Sequence, residues 1–321
     1  MKITDYFYGE PDRQWEYARQ LGIHVADGRM TDGMMDKVAG SFTLLKEMKD
    51  RFAEGGFDLK IIEPAPPNQK IKQGLPGRDE EIEQMCTLIK NMGKLGIEVL
   101  CYNFTAHFNW ERTSFSCVER GGALVSEYNH ALINHNNLTS AGVITQEQLW
   151  KNLEYLQKAI VPVAEEAGVK LALHPDDPPV PSIQSVGRIL TSADAMERAV
   201  NLVSSPNMGI TMCQGTFGAM GEDVVSCIRR FGSKIHFVHF RDIRGDKYHF
   251  HETFHDNGPT DMAAAIRAYS EIGYTGYVRV DHVPTMAGED ITRPGYTNVG
   301  RLYAIGYLKG LMEMAGVYED I

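Results

Sequence analysis

This 321-residue chain has no excess of basic charge, no long apolar run, no paired-cysteine spacing and no nucleotide-binding fingerprint. Each absence removes a class of function. The formal net charge is −10 and the Lys and Arg residues are dispersed, whereas binding a phosphate backbone needs concentrated basic surface. A nucleic-acid partner is therefore not expected. No apolar stretch approaches the ~20 residues that span a bilayer, so no membrane segment is expected either. The opening MKITDYFYGEPDRQW lacks a charged segment followed by an apolar one. It does not read as a secretory signal, and the cytoplasm is the expected location. Five cysteines, at 86, 101, 117, 213 and 227, are odd in number and show no CxxC spacing, which argues against a disulfide framework or a zinc knuckle. No GxGxxG follows a strand-like run, so an open nucleotide-binding sheet lacks its usual marker.

What is present is a composition of 43% apolar and 23% charged residues, that of a chain able to bury a large core. The pattern along it is an alternation. Strand-like runs are read at Lys2 to Tyr8, Ile23 to Ala26, Leu59 to Glu63, Ile97 to Asn103, Leu171 to His174, Met208 to Cys213, Ile235 to Phe240 and Tyr277 to Asp281. Helical spacing follows each of them. Thr145, with Gln148 three residues on, opens the longest helix as a capping box would, and Gly168 closes it. Strict alternation implies a parallel sheet, and eight such units favour a closed (β/α)8 TIM barrel, read as one domain over 1–321. Two intervals break the rhythm. The run PAPPNQKIKQGLPGRDE after the third strand is too polar and Pro-rich for core, and about 104–144 lacks clear periodicity. Its length and its aromatics suit a lid-like loop.

In such a barrel chemistry sits at the C-terminal ends of the strands. The last four strands end in ALHPDD, ITMCQG, HFVHFRD and VRVDHV. They bring His174, Cys213, His239 and Asp281 to one rim, a set of nitrogen, sulfur and oxygen donors suited to a divalent transition metal such as Mn, Fe, Co or Zn. His236 and His239 are three apart and point to opposite faces of a strand, so only the later one is taken as a ligand. His282, beside Asp281, offers an imidazole, the side chain whose unperturbed pKa suits proton transfer near neutrality. Tyr296 offers a phenol from the following loop. Asp176 and Asp177 are expected to orient a ligand or meet substrate hydroxyls. Arg112, Lys70 and Arg241 are candidates for a substrate carboxylate, and His251 and His255 are further candidates from a polar loop.

Several segments resemble the mannonate dehydratase family. They are CYNF with WERT (101–104, 110–113), VPVAEEAGVKLALHPDDPP (161–179), IHFVHFRDI (235–243), GPTDM (258–262), and DH with GY (281–282, 295–296). The resemblance covers most of the chain. It implies a xylose-isomerase-like barrel, a divalent metal, usually Mn(2+) with Fe(2+) or Co(2+) as alternatives, held by His174, Cys213, His239 and Asp281, and catalysis by His282 and Tyr296. The implied activity is loss of water from a sugar acid, D-mannonate to 2-keto-3-deoxy-D-gluconate, with a small molecule as partner and a homo-oligomer compatible with it. Typical members are longer around 104–144 and read RPDHGR where this chain has RVDHVP. The rival readings are a sugar isomerase or epimerase on the same barrel, a catalytically silent sugar-acid-binding barrel, and a metal-dependent DNA-repair endonuclease. The last would want several metals and a basic groove.

Overall fold

Strands of a parallel barrel are packed on both faces, so they show continuous burial rather than alternation. The first strand, KITDYFY, has that pattern, with every residue but its two ends buried. A computed structural model describes residues 1–29, 35–66 and 68–318. It contains eight such strands, β1 (Lys2–Tyr8), β2 (Val25–Arg29), β3 (Asp58–Ile62), β4 (Val99–Asn103), β5 (Lys170–His174), β6 (Met208–Cys213), β7 (Ile235–Phe240) and β8 (Tyr277–Val280). All pair in parallel with their sequence neighbours, and β1 pairs with both β2 and β8 to close the ring. The (β/α)8 barrel expected from the alternation is the observed architecture. Val25, Ile61, Val99, Ala172, Phe237 and Tyr277 fill the barrel's interior. A far larger apolar cluster lies between strands and helices.

The helix Gln146–Ala167 shows how local sequence sets an element's limits. The Thr145 hydroxyl accepts from the Gln148 backbone N–H at 3.1 Å, and Gly168 closes the helix at φ 69°, a conformation that costs glycine little. Only half of the expected capping box forms, because the Gln148 side-chain amide donates to the Gln73 carbonyl at 3.2 Å instead. No helix among the described residues is long and apolar enough to cross a membrane.

Two expectations need correction. The interval after β3 is not purely solvated loop: it contains the short helix Gln69–Gln73, which buries Ile71 and Lys72. The interval 104–144 is not a bare lid. It holds strands Ser114–Val118 and Leu124–Asn129, which join strands His249–Glu252 and Ile243–Asp246 in a four-stranded antiparallel accessory sheet. The sheet unites the insert after β4 with the one after β7, and Leu124 bridges to Thr285 beyond β8. All three attachment points lie past C-terminal strand ends.

Candidate active site

Register decides which side chains meet at the barrel's C-terminal end. Cys213 of β6 is the register partner of His239 of β7, and His239 that of Arg279 of β8. Asp281 follows Arg279 by two residues, so it points to the same face one step further along. On the other side, Asn103 of β4 is partnered with His174 of β5. These ends surround a cavity of about 380 Å³ lined by Glu63, His174, Asp177, His239, Arg279, Asp281, His282 and Tyr296, among others.

Donor atoms of His174, Cys213 and His239 lie within 4.8 Å of one another. Hydrogen bonds prepare each of them. The His174 Nδ1–H donates to the Pro175 carbonyl at 2.7 Å, which leaves the Nε2 lone pair available. His239 Nε2 meets the Glu63 carboxylate at 3.1 Å. Its Nδ1 is buried without a hydrogen-bond partner, a costly condition unless something else binds there. Asp281 Oδ2 stands 3.7 Å from that nitrogen. The Thr216 hydroxyl donates to Cys213 Sγ at 3.2 Å. Two imidazoles, a sulfur and a nearby carboxylate, with an orphaned nitrogen among them, fit a divalent transition metal.

Asp281 is the hub of the charges. Burial alone would raise its carboxyl, but His282, Arg279, His239 and Arg241 together hold it well below the usual carboxylate range. Arg279 donates to it at 2.8 Å, and the Tyr296 hydroxyl donates to it at 3.3 Å. Burial, aided by the Asp281 charge, pushes the Tyr296 phenol up, so the phenol keeps its proton. The His282 ring packs against Trp110 at a tilt of 36°, ring centroids 4.7 Å apart. Its Nδ1 lies 2.9 Å from Glu252 Oε1. Trp110 lines the cavity, and its buried indole N–H has no hydrogen-bond partner among the described residues.

Behind this wall lies a second cluster, in which donor atoms of Asp177, Glu252 and His282 also lie within 4.8 Å of one another. Here the charges are already matched. Arg112 holds Asp177 at 2.7 and 2.9 Å and Glu252 at 2.8 Å. Arg241 holds Asp177 at 2.7 Å and Glu252 at 2.9 Å. Both guanidiniums are buried. Burial would raise the two carboxyls, yet the arginines overcome it: Asp177 is held well below its ordinary value and Glu252 at about 2. Gly215 makes room for this arrangement, since a Cβ there would stand 2.6 Å from Arg241 Nη1.

Some residues singled out for substrate do not reach the cavity. Asp177 lines it; Asp176, Arg112, Arg241 and His255 do not. Asp176 is buried and accepts the backbone N–H groups of Ile189 and Leu190 at 2.9 and 3.0 Å, so it ties down a loop. Arg112 and Arg241 are consumed by carboxylates. His255 packs on Phe240 at 5.7 Å, and burial lowers its pKa to about 4. His251 pairs in register with Glu127 in the accessory sheet, and Lys70 is half exposed, 3.9 Å from Glu80. The strand-end reading missed Glu63, Arg279 and Glu252. Glu63 ends the third expected strand and was open to the rule applied to the last four. At the rim opposite β5 and β6, Arg29 and Arg293 face the Tyr8 ring at 4.9 and 4.5 Å; neither stood out by motif.

The model of the family described as D-mannonate dehydratase (UxuA) matches residues 34–141 and 136–318. A mannonate dehydratase of Shouchella clausii is 34% identical over 356 residues, covering 98% of this chain and 97% of that protein. One of Thermotoga maritima is 34% identical with the same coverage. The crystal structure of mannonate dehydratase from Streptococcus suis serotype 2 superposes with a TM-score of 0.90 at 33% identity, covering 99% of this chain and 95% of that one. D-psicose 3-epimerase from Clostridium cellulolyticum H10 shares the fold at 15% identity and a TM-score of 0.62. From its sequence match and its barrel alike, the chain belongs to the D-mannonate dehydratase family.

Proposed function

We propose that this protein is a metal-dependent hydro-lyase that converts D-mannonate to 2-keto-3-deoxy-D-gluconate and water. The observation that carries this reading is the placement of an imidazole and a phenol, His282 and Tyr296, on one carboxylate in one cavity, their rings 5.5 Å apart. Dehydration needs a base for the C2 proton and an acid for the departing C3 hydroxyl. Two such groups side by side match that requirement.

We assign the metal ligands as His174, Cys213, His239 and Asp281. When bound, a divalent ion, Mn(2+) foremost with Fe(2+) or Co(2+) as alternatives, supplies a Lewis acid to the substrate's oxygens. His282 takes the proton from C2. Tyr296, whose phenol is held protonated by burial and the Asp281 charge, delivers a proton to the C3 hydroxyl as it leaves as water. The C2–C3 enol that remains becomes the 2-keto acid by tautomerisation. Arg29 and Arg293 give the opposite wall the positive charge that attracts an anionic substrate. The reaction is proposed to take place in the cytoplasm on a free small molecule.

The test is to strip the protein with chelator, add back Mn(2+), Fe(2+) or Co(2+), and assay 2-keto-acid formation from D-mannonate. The reading expects product only with metal. Product without metal would remove the metal dependence, and no product with any ion would remove the substrate. Exchange of the C2 hydrogen for deuterium with the C3 hydroxyl retained would turn the reading toward an isomerase or epimerase.

A further inference from the structure

The accessory sheet has no place in the barrel's core, yet it delivers Glu252 onto the imidazole assigned to proton transfer. We propose that Glu252 is the positioning residue for His282, fixing its tautomer with the proton on Nδ1 so that Nε2 presents a lone pair to the cavity. The proposal rests on the assignment of His282 as the base.

Three observations support it. Glu252 is buried and its Oε1 lies 2.9 Å from His282 Nδ1. A carboxylate held ionised by Arg112 and Arg241 only accepts, so Nδ1 must donate. The other ring nitrogen, Nε2, lies 3.7 Å from Asp281 Oδ1, on the side of the cavity where Tyr296 also meets that carboxylate. Finally, His282 adopts φ 21°, an unusual backbone angle for histidine that needs outside support to persist. Trp110, tilted against the ring at a centroid distance of 4.7 Å, and Glu252 at Nδ1 supply it. When Nε2 takes the substrate proton, the resulting imidazolium lies against the Glu252 carboxylate, and the charge created by the step meets an opposite charge already in place. The same cluster has the geometry to hold a metal, but its two carboxylates already carry two guanidiniums, so orientation is the use left to it.

Asp177 supplies the control, because it binds the same two arginines as Glu252 but is not hydrogen-bonded to His282. Variants Glu252→Gln and Asp177→Asn therefore remove matched ion pairs, and only the first weakens the imidazole's orientation. In the full-length, metal-loaded enzyme, E252Q is expected to lower kcat by roughly 100-fold, with KM within about threefold and metal content unchanged. D177N is expected to keep kcat within about tenfold. Equal losses of kcat in the two variants, or a loss in E252Q that follows lost metal, would overturn the proposal. A second readout does not depend on any variant folding. In wild-type protein labelled with nitrogen-15 at histidine and loaded with diamagnetic Zn(2+), His282 is expected as the Nδ1–H tautomer. The Nε2–H tautomer would overturn the proposal even if the protein proved inactive on D-mannonate, so the two readings fail separately.

Discussion

Among the described residues three clusters satisfy the same geometric condition for holding a metal. One of them, Glu63 with Cys101 and His239, shares His239 with the His174 cluster; the other two share no residue and differ in what surrounds them. In one, His174, Cys213 and His239 come together with an orphaned buried nitrogen. In the other, Asp177, Glu252 and His282 come together with two arginines already bonded to both carboxylates. The first has lone pairs without partners; the second has its carboxylate charges matched. Proximity of donors is thus a weak guide to a metal site, and the partners those donors already have are a better one. On the readings proposed above, the barrel strand ends bind the metal and the accessory sheet orients the imidazole.

The largest expected effect breaks the first cluster. Cys213→Ala or His174→Ala should lose both metal and at least about 1,000-fold of turnover, about 4 kcal/mol of transition-state stabilisation. Metal analysis beside the assay checks this. Retention of metal by C213A would remove the sulfur from the ligand set. Next comes the ion-paired cluster. Arg241→Met leaves three buried carboxylates, Asp177, Glu252 and Asp281, short of a partner and should cost about 3–5 kcal/mol of stability by urea unfolding, the usual penalty for breaking a buried pair. For contrast, Arg230→Met at the exposed pairs with Asp194 and Glu197 should cost about 1 kcal/mol or less. Similar losses in the two variants would contradict the account of the buried network.

Acid should act on stability before it discharges the network. Burial lowers His236 and His255 to about 4, below the unfolded value of about 6.5. The unfolded state binds protons first, so stability is complete above about pH 6.5 and falls as pH drops toward 4, by up to about 3 kcal/mol per histidine. Glu252, with its pKa at about 2, loses its contribution only between about pH 4.5 and 2. Urea midpoints at pH 7, 5.5 and 4.5 should decline in wild type and decline less in His236→Gln. A flat profile would contradict the burial of neutral imidazoles. The smallest effect is expected at the far wall, where Arg293→Gln should raise KM for a sugar acid about tenfold, about 1.4 kcal/mol, with kcat little changed. An unchanged KM would take Arg293 out of substrate binding.

Much of the barrel was legible because its strands are short apolar runs between helical periods, and register then follows from closure. His174, Cys213 and His239 were legible for the same reason, since each ends a strand. Glu252 was not. It lies on a strand of HFHE whose pairing partner, Leu124–Asn129, is more than a hundred residues away, and no local period encodes such a contact. Arg279 was hidden differently, by sitting two residues before a more conspicuous aspartate on the same face. Arg112 and Arg241 were found as cations, but sequence does not show that Asp177 and Glu252 bond both of them.

The most direct test of the central claim is cobalt substitution. One equivalent of Co(2+) added to metal-free protein should produce a thiolate-to-cobalt absorption band that persists in E252Q and D177N and vanishes in C213A. A cobalt complex without that band, or with a band that survives in C213A, would place the metal elsewhere and contradict the division between a binding cluster and an orienting one.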